Sequence, residues 1–382
     1  MARDRIYIMV DLQPQTAFWR GVISGAARYC VEHAELRLRF PSSEWALIGD
    51  NEEVDGVIAV VWTPETYAAP RRFGKPIVNV SSTVESTPFP TVTIDNKAVG
   101  RLAAEHLINE GYHHFAFHTE SRVFFARQRL EGFKQRLAEM NRTCEVFDTA
   151  PHDGQDRTSF ENRQATIEWL HALPKPTGLF THNDGRASML LDICRDIGIT
   201  VPEQIGVLGM DNDLLLSETS EPTLSSVDPA SDLVGYRAAE LLVELIKGRE
   251  PPAKPIFVPP RGIVVRQSTK PVFVDDQYLA EAVAYIRAHA TDPLTIEALL
   301  DQVPLSRRSL ERRFRDRLGR SPGDEIRRVQ MEKARSLLIE TDHTLTKIAA
   351  AVGYNQFRNF ATAFRRDFGS SPSAYRKTFR MH

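Results

Sequence analysis

Ser306-Arg-Arg-Ser-Leu310-Glu-Arg-Arg-Phe314-Arg-Asp-Arg-Leu318-Gly319-Arg-Ser-Pro322 and Gln356-Phe-Arg-Asn-Phe360-Ala-Thr-Ala-Phe364-Arg-Arg-Asp-Phe368-Gly369-Ser-Ser-Pro372 repeat one pattern at an offset of 50 residues. In each copy an apolar row at i, i+4 and i+8 forms one stripe of a helix, the side that must be buried. Gly319 and Gly369 suit the left-handed position just past a helix end, and Pro322 and Pro372 forbid continuation. A shorter helical segment precedes each copy, about 295–303 and 344–352, across a tight turn. This is helix-turn-helix geometry twice.

The stripe also fixes which residues remain free. In the first copy Arg308, Glu311, Arg312 and Arg315 lie away from it, with Arg307 beside them. In the second, Arg358, Thr362 and Arg365 take the equivalent places, and Asn355, Gln356 and Asn359 sit near the helix N-terminus. These are the side chains that read base edges: Arg bridges guanine O6 and N7, Asn or Gln bridges adenine N6 and N7, and Glu accepts from cytosine N4. Charge supports the reading. Residues 277–382 carry a net charge of +7 while the rest of the chain carries −9, so a basic tail follows an acidic body.

Working outward, residues 5 to about 268 alternate between apolar β-branched runs and helix-period segments. Ile6–Val10, Val57–Val61, Ile77–Val80, Val92–Ile94, Phe115–Phe117, Gly178–Thr181 and Ile205–Gly209 read as buried strands. Repeated βα units predict parallel sheets covered by helices on both faces. Their number favours two sheets over one. The expected fold is therefore an α/β sensor of two doubly wound parallel-sheet lobes, residues 1–268, then a linker, 269–276, then an all-α domain with two helix-turn-helix units, 277–382.

Ligands of open α/β sheets bind at the carboxyl ends of strands. Three polar pairs stand there: Asp95-Asn96, Asn183-Asp184 and Asp211-Asn212. Such groups suit a polyhydroxyl ligand, although Asp and Asn at strand ends also cap helices. Phe18 and Trp19, after the first strand, would lie against the C–H face of a sugar or join the core.

Other function classes find little support. Cys30, Cys144 and Cys194 form no CxxC pair, and His113, His114 and His118 have no ligand spacing, so neither a disulfide nor a metal site is expected. There is no phosphate-binding glycine loop, no GxSxG and no nucleophile–base constellation; no catalytic residue and no cofactor is expected. The first strand starts directly after Arg5, without the apolar core of an export signal, and no run is long enough to span a bilayer, so a cytoplasmic location is expected.

Residues 277–382 resemble the AraC/XylS-type DNA-binding domain through Met331-Glu-Lys-Ala334-Arg-Ser-Leu337-Leu338, Ile348-Ala349 with Gly353-Tyr354, and Gly369-Ser-Ser-Pro-Ser-Ala-Tyr375-Arg376. The resemblance implies a helix through Ala334 and Leu338 that holds both units on successive major grooves. Pro304 departs from it, standing in the first turn where the family often has glycine. Residues 1–268 are similar to the sugar sensor of LacI/GalR-type repressors, itself periplasmic-binding-protein-like. The matching stretches are Ala126-Arg127-Gln-Arg129-Leu-Glu-Gly132-Phe133, Thr181-His-Asn183-Asp184, Gly206-Val-Leu-Gly-Met-Asp211-Asn212 and Pro222-Thr-Leu-Ser-Ser-Val227. By that resemblance Arg129, or Arg127 in its stead, Asn183 or Asp184, and Asp211 contact the sugar from the second lobe. The order of the two domains resembles the xylose operon regulators. It implies D-xylose as effector, with another sugar or a purine-like effector as the alternative for the same architecture, and a homodimer, double-stranded operator DNA, RNA polymerase as a partner, and no membrane.

Overall fold

The computed structural model describes residues 6–11, 15–39, 54–61, 74–149, 159–269, 276–291 and 294–379. The chain divides into two compact units, residues 1–108 with 112–270 and residues 109–111 with 271–382.

In the first unit the elements run β1 (Ile6–Asp11), α1 (Ala17–Glu32), β2 (Leu36–Arg39), β3 (Gly56–Ala59), β4 (Ile77–Asn79), β5 (Val92–Ile94), α2 (Asn96–Asn109), β6 (His114–Thr119), α3 (Phe124–Glu139) and β7 (Glu145–Asp148). There follow α4 (Ser159–Ala172), β8 (Thr177–Thr181), α5 (Asp184–Asp196), β9 (Ile205–Met210), α6 (Leu214–Thr219), β10 (Ser225–Asp228), α7 (Ser231–Ile246), β11 (Ile256–Val258) and β12 (Gly262–Val264). The first lobe holds a parallel sheet in the order β2-β1-β3-β4 and a parallel β5–β11 pair. A parallel bridge between Asn79 and Thr91 joins the two. The second lobe holds a six-stranded sheet, β12-β10-β9-β8-β6-β7.

Strands β8 and β9 are buried along their whole length, as apolar runs sandwiched between helices must be. One face of the sheet packs Leu179, Val207, Leu190 and Leu191 together. Phe117, Phe133 and Phe180 form an aromatic cluster with centroids 5.1–5.7 Å apart. In the first lobe α1 crosses α7 so closely that a Cβ on Gly25 would stand 1.8 Å from the Asp232 carbonyl oxygen, and one on Gly235 1.9 Å from that of Val22.

Two features differ from the sequence expectation. The second sheet is mixed, because β12 pairs antiparallel with β10. The alternating βα pattern ends before this strand, so nothing forced it to be parallel. Second, Thr269, expected to open the linker, belongs to the sensor. Ser268 and Thr269 are fully buried; Ser268 Oγ donates to the Val207 carbonyl at 2.6 Å and Thr269 Oγ1 bonds Ser225 Oγ at 2.8 Å. A Ser-Thr pair reads as linker by composition, yet here its hydroxyls are satisfied by the sheet. Most of the expected linker, 270–275, lies outside the described residues.

The chain passes between the lobes after β5, after β10 and after β11. These crossings are tied together. Asp95 N donates to the Val258 carbonyl at 2.8 Å, and the Arg261 guanidinium bonds both Asp228 oxygens at 3.0 and 3.1 Å and Asp232 at 2.6 Å. Ala230, between Asp228 and Asp232, has a φ of 56°, a backbone strain stored at the hinge.

The second unit is helical: α8 (Gln277–Ala288), α9 (Ile296–Leu300), α10 (Arg307–Leu318), α11 (Pro322–Glu340), α12 (Leu345–Ala351), α13 (Phe357–Phe368) and α14 (Pro372–Phe379). Leu310, Phe314 and Leu318 pack with Leu279, Val283, Leu299 and Ile326 in one core. Phe360 and Phe364 stack toward Tyr375 and Phe379 in another. The 19-residue α11, about 28 Å long, spans both, and buries Ile326 near one end and Leu338 near the other. Glu325, fully buried on it, is held by Arg328 at 2.7 and 2.9 Å and by Arg320 at 2.5 Å. Burial alone would raise this carboxyl, but the two guanidiniums outweigh it and hold it at about 2.

Candidate ligand cavity and nucleic-acid interface

Between the sensor lobes lies a cavity of about 270 Å³, just under the range for drug-sized ligands and suited to something smaller. Its aromatic wall comes from α1. Thr16 caps that helix by accepting from Trp19 N at 3.3 Å, which sets Phe18 and Trp19 on the first turn, their rings 4.7 Å apart and edge to face. Ser81, Ser82, Thr93 and Asn96 add polar groups, and Phe125, Arg129, His182, Asn183 and Asp211 close the far side.

Arg129 is 4 % exposed, and its Nε donates to Asn96 Oδ1 at 2.9 Å. Its Nη1 donates to the His182 carbonyl, and its guanidinium lies 4.7 Å from the centre of the Phe125 ring. Burial lowers Arg129 to about 10, with Asp211 and Asp184 opposing, so it stays a cation at neutral pH. Asp211 reaches the cavity from the end of β9 with a φ of 117°. Burial pushes its carboxyl up to about 8, against the pull of Arg129. A fixed donor fork beside an acceptor, facing aromatic rings, is an arrangement that binds vicinal hydroxyls.

The structure separates residues that sequence left as alternatives. Arg127 lies outside the cavity, half-exposed, donating to the Ser121 carbonyl at 2.9 Å. Asn183 lines the cavity and also caps α5, accepting from Arg186 N at 2.8 Å. Asp184 does not line it: one oxygen accepts from Asp213 N at 2.8 Å and the other from Ser226 Oγ at 2.7 Å. Asp184 thus pins the turn that carries Asp211 and Asp213. Of the pair at the end of β5, Asp95 caps α2 by accepting from Ala98 N, and Asn96 turns to the cavity. Arg20 bonds Asp213 across the cleft at 2.9 Å.

In the helical unit α10 and α13 each expose one face. Ser306 caps α10 by accepting from Ser309 N at 3.3 Å, and Gly319 ends it with a φ of 67°. Gly369 ends α13 with a φ of 72°, but Gln356 at its start makes no side-chain cap bond. Arg308, Arg312, Arg315, Arg358 and Arg365 are exposed, as are Asn355, Gln356, Asn359 and Thr362. Arg307 is engaged instead with Glu311 and Glu297, both at 3.2 Å. Thr362 Oγ1 bonds back to the Arg358 carbonyl at 3.0 Å. The turns before the two helices differ as Pro304 requires. Gly353 adopts a φ of 83° and Tyr354 N donates to the Ala349 carbonyl, whereas beside Pro304 a tighter bond runs from Leu305 N to the Val303 carbonyl at 2.7 Å.

Residues 104–269 match the periplasmic binding protein-like domain, and residues 299–378 match a helix-turn-helix domain. A xylose operon regulatory protein of Escherichia coli (strain K12) is 32 % identical over 98 % of this chain and 97 % of its own. The chain belongs to the xylose operon regulatory protein family. A Haemophilus influenzae xylose operon regulatory protein is 29 % identical over 85 % of both chains. A solved xylose-binding transcription activator, 30 % identical, matches over the whole of both chains with a TM-score of 0.63. As a member of the xylose operon regulatory protein family the chain is a DNA-binding transcription regulator with a sugar-binding sensor, and not an enzyme. No described helix is long and apolar enough to cross a membrane.

Sequence reading missed Ser82, Thr93, Phe125 and His182 as cavity residues. Nothing local marks the first three, since they reach the cavity only through the packing of distant segments. His182 stands inside Thr181-His-Asn183-Asp184, and only its place on the cavity wall distinguishes it from a core histidine.

Proposed function

We propose that the chain is a D-xylose-responsive activator of pentose catabolic genes. The sugar binds between the lobes, with Arg129, Asn183 and Asp211 on its hydroxyls and Phe18 or Trp19 on its C–H face. The observation that carries this reading is Arg129 beside Asp211 at one end of a small aromatic-walled cavity. A ligand shifts the equilibrium only by preferring the closed lobes, and the hinge knot of Arg261, Asp228 and Asp232 is where that preference acts. The names of the relatives supply the pentose; the cavity supplies the need for a small polyol.

In the same reading the protein works in the cytoplasm as a homodimer. Sugar binding alters how the paired tails engage operator half-sites and RNA polymerase. Arg308, Arg312, Arg315, Arg358, Asn359 and Arg365 are the base and phosphate contacts, with Arg307, Glu311, Asn355, Gln356 and Thr362 at their edges.

The test is calorimetry with a panel of pentoses, hexoses and nucleobases, followed by operator titration with and without the sugar that binds. D-xylose binding that changes operator affinity or transcription supports the proposal. Binding of a hexose or nucleobase alone replaces the effector. Equal operator affinity and equal transcription with and without every ligand rejects the switch.

A further inference from the structure

We propose that His182 is a specificity-determining residue of the ligand cavity, its imidazole reading one hydroxyl of the bound sugar. This rests on the sugar-binding reading above. His182 lines the cavity, is 4 % exposed, and its Nδ1 has no hydrogen-bond partner. Buried polar atoms of native proteins are nearly always paired, and one that is not calls for a ligand or a bound water. Two neighbouring cavity groups are already engaged. Arg129 only donates and is tied to Asn96 and to the His182 carbonyl. Asn183 Oδ1 already accepts from Arg186 N. Asp211, its carboxyl pushed up to about 8, holds a proton at neutral pH and both donates and accepts. In a neutral imidazole Nδ1 donates or accepts according to the tautomer, and a hydroxyl complements it in either state.

The surroundings keep the ring neutral. His182 is buried beside the cations Arg129 and Arg186, and burial first, then those charges, lowers it to about 3. His118 faces it from the adjacent strand, where His118 is paired in register with Thr181. It is fully buried, stacked on Phe147 at 5.3 Å, and neither of its ring nitrogens has a hydrogen-bond partner. Its ring therefore does not occupy Nδ1 of His182, and the bond between the two residues runs instead from the His182 imidazole to the His118 backbone. The Phe125 ring, tilted at 6.4 Å, borders His182 on the cavity side. A charged ligand group gains nothing from this neutral ring, whereas a hydroxyl gains a further partner beside Arg129 and Asp211.

The experiment is calorimetry on the full-length protein with D-xylose, L-arabinose, D-ribose and D-glucose, then with monodeoxy analogues of the sugar that binds best. His182→Phe is expected to weaken that sugar about 10-fold or more. One monodeoxy analogue is expected to bind the wild type weakly and to lose nothing further in His182→Phe. His182→Gln, which keeps a donor and an acceptor, is expected to recover part of the affinity, and it stands in as the variant if His182→Phe does not fold. Unchanged affinity in the variant, or a loss equal for every analogue, overturns the proposal and leaves the sugar reading intact. A wild type that binds none of the four sugars overturns both.

Discussion

The ligand cavity and the DNA-facing helices use the same residue types in opposite ways. In the cavity Arg129 is buried and bonded, Asp211 is half-buried on a strained backbone, and both are shifted from their ordinary ionisation. On α10 and α13 the arginines stand in solvent on helices whose other face is core. A small neutral ligand brings little binding energy, so its site must be pre-organised at a cost in stability. DNA brings a dense row of charge and rewards mobile cations. On the proposed reading, buried charge sets specificity for the sugar, and exposed charge, repeated twice, sets affinity for the duplex.

The largest expected effect tests whether buried charge in the helical unit behaves as it does in the cavity. Glu325→Gln leaves Arg320 and Arg328 without their carboxylate, and loss of one side of a buried pair costs about 3–5 kcal/mol. Thermal unfolding of the full chain measures it. The wild type also carries an acid signature. The Glu325 carboxyl sits at about 2 when folded and near the ordinary ~4.3 when unfolded. Its contribution is complete above the unfolded value and is lost as pH falls through 4 toward 2. A variant as stable as wild type at pH 7 would show that α11 does not depend on this network.

Asp211→Asn sharpens the contrast from the other side. Its folded value of about 8 lies above the unfolded ~3.9, so the folded chain holds a proton that the unfolded chain releases. The contribution of Asp211 to stability is therefore greatest below pH 4, and the cost of its charge grows as pH rises to about 8. Asn removes that cost. The variant should melt above wild type at pH 8, by roughly 2–4 °C for each kcal/mol recovered. The gap should shrink toward pH 5. Calorimetry should show sugar affinity lost. A variant that melts lower at pH 8 would mean the carboxylate is stabilising, and the cavity is not a strained one.

How much was legible follows the same division. The helix-turn-helix units declare themselves because their information is local: Leu310, Phe314 and Leu318 repeat as Phe360, Phe364 and Phe368 within single helices. Most of the exposed arginines could be read by subtraction from that stripe, though not the diversion of Arg307 to Glu297. In the sensor the strands were legible and the cavity only partly so. Arg127 and Arg129 differ by two positions on α3, and the close packing of α3 on α2, with Gly132 against Lys97 and Gly100 against the Arg129 carbonyl, is a long-range contact that the local sequence does not reveal. Asp184 and Asp211 both follow strands, but Ser226 and the Asp213 amide, 42 and 29 residues from Asp184, claim the first. The antiparallel β12 carries no mark in a three-residue segment.

A smaller effect distinguishes contacts within the DNA face. Arg308→Ala and Arg358→Ala should each cost about 1–3 kcal/mol of operator binding and relax selectivity at one base pair, read by titration against single-substituted operators. A loss uniform across all sequences would mark a phosphate contact and a smaller salt slope.

The smallest effect compares the two helix starts. Ser306 caps α10, whereas Gln356 leaves the first turn of α13 uncapped. Ser306→Ala should cost about 1 kcal/mol of stability. At the matching place in α13, Gln356→Ser supplies the missing cap and should raise stability by a similar amount. A position where a better cap is so easily made, yet glutamine stands, is one where the side chain is wanted for something else. If that is adenine recognition, Gln356→Ser will raise Tm and lower operator affinity together, with the loss confined to one base pair. If the cap raises Tm and operator affinity is untouched, Gln356 does not read DNA, and the second unit relies on Arg358, Asn359 and Arg365 alone.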